Sequence, residues 1–121
     1  MCGFPHFASC EFTGEFPIAS IDFADADFPG SVKLTAFNPF IPLNSADSSI
    51  PAAFFEITFT NPTEATMTYQ AAFSLCNPFA VSHNEAVERD GMTAIMLKNA
   101  GSAPDEYEYG ELCIACENAI I

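Results

Sequence analysis

The run Ala36 to Ala53, AFNPFIPLNSADSSIPAA, constrains this chain more than any other stretch. Pro39, Pro42 and Pro51 each remove a backbone donor and push the preceding residue toward extended geometry, so a helix or a central strand is not expected there. The expected structure is an ordered loop over 39–50, with an apolar half (Phe40, Ile41, Leu43) and a polar tip (Asn44, Ser45, Asp47, Ser48, Ser49). A proline-stiffened apolar segment has little freedom to lose and is costly to leave in water, which argues that Phe40, Ile41 and Leu43 dock onto something. That something is either the end of this domain's own sheets or, with Asn44, Asp47 and Ser48 at the tip, a ligand or a neighbouring domain.

On both sides of the loop the apolar residues recur with period two. In Ser31 to Phe37, Val32, Leu34 and Ala36 alternate with Lys33 and Thr35. In Ala52 to Thr60, Ala53, Phe55, Ile57 and Phe59 alternate with Glu56, Thr58 and Thr60. This is the pattern of half-buried antiparallel strands. Upstream, Phe16 to Phe23 reads as a strand, and residues 1–13 as an irregular lead-in with a short strand near Ser9 to Phe12. Asn61-Pro62-Thr63-Glu64 suits a turn with proline at its second position. Beyond it Thr66 to Cys76 alternates again, which predicts a hairpin with the preceding strand. Ser82 to Gly91 is expected to be a long loop or a short helical turn, Met92 to Lys98 a strand, Asn99 to Asp105 a turn-rich connection, and Tyr107 to Glu117 the last strand. The predicted class is all-β, an antiparallel β-sandwich or jelly-roll in one domain over 1–121. Six or seven strands leave many edges and the C-terminus is apolar, so the sandwich is expected to be incomplete and the chain a fragment.

Charge narrows the partners. Lys and Arg together number 3 against 16 acids, a net charge of -13. Nucleic-acid binding needs clustered positive charge, so no nucleic-acid partner is expected. An anionic membrane surface is disfavoured on the same ground. No apolar run is long enough to span a bilayer, and MCGFPHFASCEF lacks the features of a signal peptide, which points to a cytoplasmic chain. Hydrophobic residues make up 50% of the sequence, so a domain with a modest core is expected rather than a disordered tail.

Candidate chemistry is sparse. Cys113 and Cys116 spell CIAC, but Cys2, Cys10, Cys76, His6 and His83 offer no second close pair for zinc. In a strand the two thiols point to opposite faces, which argues against a redox pair. Small buried residues are the better reading, with all five cysteines reduced. His83 in Ser82-His83-Asn84-Glu85 reads as a solvated loop residue, and neither histidine has a catalytic spacing. Glycosidic cleavage needs two carboxylates set across the sugar, one held protonated. The nearest pairs, Asp25 with Asp27 and Glu106 with Glu108, lie in polar segments and read as solvated acidic surface. Asp25, Asp27 and Asp47 lack the spacing of a calcium loop. No catalytic residue, metal or cofactor is expected. Of 13 phenylalanines and 3 tyrosines, only Tyr107 and Tyr109, flanked by glutamates, look like an exposed pair on which a sugar ring would stack, although Trp, the better platform, is absent.

GEFPIASIDFAD (Gly14 to Asp25), FPGSVKLTAFNPF (Phe28 to Phe40) and PAAFFEITFTNPTE (Pro51 to Glu64), in that order around the proline loop, resemble the N-terminal domain of glycoside hydrolase family 116. This is the family of non-lysosomal glucosylceramidase and bacterial β-glucosidases. The resemblance is good over Cys10 to Asn77 and looser beyond. It implies a non-catalytic β-sandwich whose partner is a helical catalytic domain, outside this chain, that carries the two catalytic carboxylates. It further implies that the whole enzyme hydrolyses β-linked glucosides, glucosylceramide among them, by retaining double displacement. On this reading the sandwich packs on the catalytic domain and shapes the substrate entrance, with the Asn38 to Ser49 loop in the contact. The alternative is a free-standing carbohydrate-binding or structural β-sandwich module.

Overall fold

The computed structural model describes residues 6–117. Among the described residues, seven strands and one helical turn make the fold all-β, with two antiparallel sheets as expected of the sandwich class. The chain divides into two compact units, Met1–Ala72 and Phe73–Ile121.

The first unit holds β1 (Ser9–Glu15), β2 (Ile18–Ala24), β3 (Ser31–Phe37) and β4 (Phe54–Thr60), paired in sequence order. The register puts Cys10, Phe12, Phe23, Ile21, Val32, Leu34, Phe59, Ile57 and Phe55 on one face. The opposite face takes Glu11, Thr13, Asp22, Ser20, Lys33, Thr35, Thr58 and Glu56. Alternation through most of four successive strands is what fixes this register, since a slip of one residue would exchange the faces. At one end the apolar face is covered by aromatic rings. Phe7 packs on Phe23 at 5.1 Å and on Phe28 at 5.2 Å, and Tyr69 lies flat on Phe59 at 5.0 Å. Val32, between Phe23 and Phe59, is only 8% exposed in consequence.

The expected hairpin partner of β4 is not a strand. Residues 66–78 form no ladder, because the turn closes early: Asn61 accepts from the Thr63 amide at 2.9 Å and donates to the Ala65 carbonyl at 2.7 Å. Tyr69 then lands on Phe59, and its hydroxyl donates to the Pro29 carbonyl. The period-two pattern of Thr66 to Cys76 thus marks extended chain without strand pairing.

The second unit holds β5 (Ser82–Arg89), β6 (Met92–Asn99) and β7 (Glu111–Glu117), with β6 in the middle. For Ser82 to Gly91 the sequence predicts a long loop or a short helical turn, and the structure has neither, since Ser82–Arg89 is a strand. Asp90 and Gly91 have φ of 54° and 80°, the left-handed pair that a two-residue hairpin of the right twist requires, and they join β5 to β6 without a gap in register. Leu97, in β6 between Asn84 and Leu112, is 2% exposed. Asn77 anchors the start of this unit, donating to Asn84 Oδ1 at 2.8 Å and accepting from the Phe79 amide at 3.0 Å. Among the described residues only Val32 and Leu97 are buried, a smaller core than the composition suggests.

Candidate functional site

The proline loop is built with its polar groups turned onto one another. At its base Asn38 Nδ2 donates to the Ala52 carbonyl at 2.6 Å and lies 3.4 Å from that of Ile50. Across its middle the Ser48 hydroxyl accepts from the Ile41 amide at 2.9 Å and donates to the Ile41 carbonyl at 3.0 Å. The polar tip is not loop throughout. Ser45–Ser48 forms one helical turn, α1, capped by Asn44, whose Oδ1 accepts from the Asp47 amide at 3.1 Å. Asparagine is a strong helix cap, and the prolines that forbid helix lie outside these four residues.

The apolar side chains are left outside. Phe40 and Ile41 are half exposed and Leu43 fully so. Leu43 also has φ of 64°, a left-handed conformation that costs an ordinary L residue about 1–2 kcal/mol. The Phe40 ring meets Phe16 edge to face at 5.1 Å. Where β2 begins, β3 ends and β4 begins, the otherwise polar face of the sheet turns apolar. Ile18, Phe37 and Phe54 lie side by side there in register, with Phe37 and Phe54 stacked at 5.2 Å. The sequence reading missed this row. Its signal is that Ile18, Phe37 and Phe54 sit on the polar phase of their strands, where alternation calls for Ser or Thr.

Tyr107 and Tyr109 belong to the other unit, in the connection before β7 rather than on it, since β7 starts at Glu111. Tyr107 is 95% exposed and its hydroxyl donates to Glu108 at 2.7 Å. That bond raises the Tyr107 pKa, and a hydrogen bond to Glu111, with some burial, raises that of Tyr109. Both stay protonated donors near neutral pH. Beside them Lys98 donates to Glu85 at 2.7 Å, which holds the Glu85 carboxyl below and the Lys98 ammonium above its ordinary range.

The carboxylate pairs serve the backbone. Asp25 accepts from the amides of Ala8 at 3.0 Å and Asp27 at 2.8 Å, and Glu106 accepts from that of Ala103 at 2.9 Å. No cluster of three or more His, Cys, Asp or Glu suited to a metal occurs among the described residues. Cys10, Cys76, Cys113 and Cys116 are exposed rather than buried, so the small-core reading of CIAC does not hold. Cys113 and Cys116 do fall on opposite faces of β7, opposite Met96 and Thr93. Cys2 lies outside the described residues. His83 is a strand residue opposite Lys98, not part of a loop, and His6 lies 3.1 Å from the Phe7 carbonyl.

No helix among the described residues is long and apolar enough to cross a membrane. No curated protein matches the chain. A family model described as beta-glucosidase 2, glycosyl-hydrolase family 116 N-term, matches residues 3–120, nearly the whole sequence. That match spans far more than half of the chain and agrees with its two antiparallel sheets, so the chain belongs to the N-terminal domain family of the family 116 glycoside hydrolases.

Proposed function

We propose that this domain is the non-catalytic N-terminal part of a retaining β-glucosidase or glucosylceramidase, and that it packs on a helical catalytic domain and shapes its substrate entrance. The loop Asn38 to Ser49 is the contact, with Phe40, Ile41 and Leu43 in the interface and Asn44, Asp47 and Ser48 at its margin. The observation that carries this is the inverted loop: the polar contacts of its middle and tip are internal, while its apolar side chains face outward. A segment rigid before it binds loses little entropy when it docks. Deleting Pro39 to Leu43 from the parent enzyme is expected to raise KM for an aryl β-glucoside several-fold, the domain remaining folded by circular dichroism. An unchanged KM would overturn the role at the entrance.

A second reading is favoured by Tyr107 alone. An exposed ring whose hydroxyl is fixed on a carboxylate suits a sugar face. On this reading the chain binds a β-glucan by Tyr107 and Tyr109, and Tyr107→Ala abolishes a calorimetric signal with a soluble glucan.

A further inference from the structure

The polar face of the first sheet carries an apolar corner whose surroundings state what covers it. Its row of four aligned positions reads Glu15, Ile18, Phe37, Phe54. The next row inward, Thr13, Ser20, Thr35 and Glu56, is polar, as is the one after, Glu11, Asp22, Lys33 and Thr58. Exposed Phe37 and Phe54 therefore break a pattern that the rest of the face keeps. Beside the row, Phe16 precedes Ile18 by two residues, Phe40 follows Phe37 by three, and the two rings touch. Phe16 is 80% exposed. A stacked aromatic pair and a second pair edge to face make a stiff surface with few rotamers to lose, the kind enriched at the centres of protein interfaces.

The charges around this corner have one sign. Glu15 ends the row, Glu56 lies one row inward and Asp47 sits on the loop tip. The single base on this face, Lys33, is two rows away and paired with Asp22 at 3.5 Å. A second copy of the chain would bring identical carboxylates together between molecules of charge -13. A surface with an apolar centre and a rim of Lys and Arg is the complement.

We propose that Phe16, Ile18, Phe37, Phe40 and Phe54 form the docking surface of this domain, and that its occupant is an apolar, basic-rimmed surface on the catalytic domain of the parent enzyme. This rests on the reading above and extends it from the loop to the sheet. The steering is electrostatic, and the adhesion comes from the rings. Glu15 and Glu56 set orientation on the rim, where charge changes act on association more than on the final affinity.

The test uses the parent enzyme with the paired substitution Phe37→Thr and Phe54→Thr, threonine being a good strand residue on the polar phase. The readouts are the rate at which a protease separates the two domains, hydrogen exchange within β2 to β4, and KM for an aryl β-glucoside. Separation is expected to quicken about tenfold, a loss of about 1.4 kcal/mol, with amide exchange at the β2–β3 ladder unchanged, and Glu15→Lys is expected to quicken it with a marked salt dependence. Unchanged separation overturns the proposal. So does faster exchange throughout the sheet with no effect of Glu15→Lys, because the aromatic row would then be acting only on folding. Flotation of the enzyme with phosphatidylcholine vesicles that Phe37→Thr abolishes, or a dimer that it dissolves, assigns the surface to lipid or to a second copy and overturns it equally. Faster separation with unchanged KM leaves the docking surface standing and removes the entrance role, so the two failures are told apart.

Discussion

Gly30 shows how closely single residues are constrained. Its φ is 142°, and a Cβ there would lie 2.7 Å from the Thr60 carbonyl and 2.6 Å from the Tyr69 hydroxyl. Gly30→Ala must therefore expel Tyr69 from its contact with Pro29, and we expect a loss of about 1–3 kcal/mol in urea unfolding. Tyr69→Phe keeps the ring on Phe59 and should cost less, about 1 kcal/mol. Leu43 is constrained in the opposite sense. Its left-handed backbone is unfavourable in the free domain and its side chain contributes no burial. Leu43→Asn should stabilise the domain by up to about 1 kcal/mol, since asparagine tolerates this conformation. It should also raise KM in the parent enzyme. A variant that is both more stable and more active would remove Leu43 from the interface.

At the scale of elements, the strands that could be read from the sequence were those with one phase apolar and the other polar. Ser31 to Phe37 was legible to the residue, because Val32, Leu34 and Ala36 face one side and Lys33 and Thr35 the other. Ser82 to Arg89 was not, because Ser82, Asn84 and Glu88 on one face and His83, Glu85 and Arg89 on the other leave no apolar phase to find. The signal that would have found it is local: Asp90-Gly91 directly before a clear strand is a hairpin turn. Gly91→Val should accordingly weaken the β5–β6 hairpin by about 1–2 kcal/mol, seen as faster amide exchange in β5. The same hairpin carries the shortest ion pair among the described residues, Lys98 to Glu85. Glu85 titrates below its ordinary 4.5, so its contribution is present above that value and is lost as pH falls through the folded value. Lys98 titrates above 10.5, so its contribution is present below that value and is lost as pH rises through the folded value. Lys98→Met should flatten the pH dependence of melting at both ends, and an unaltered acid limb would show that Glu85 is not its source. The candidate site was half legible. Prolines announced the loop, while the sheet corner beside it is assembled from three strands, each of which gives only one apolar residue on its polar phase.

For the molecule as a whole, a charge of -13 carried by 16 acids against 3 bases sets the background. Self-repulsion of this size weakens the folded state at low ionic strength. Raising salt toward 0.15 M, where the Debye length is about 8 Å, should raise the melting temperature, and a fall would mean that attractive pairs outweigh the repulsion. Chemical ageing is decided by a smaller feature. Asn38, Asn61 and Asn77 each close a loop through the side-chain amide, and each is followed by proline. Deamidation of asparagine begins when the next residue's backbone nitrogen loses its hydrogen and attacks the side chain, and proline has no such hydrogen to lose. These three amides are thus placed where the commonest route of protein decay is closed to them, and they should outlast the Asp90-Gly91 turn in long storage.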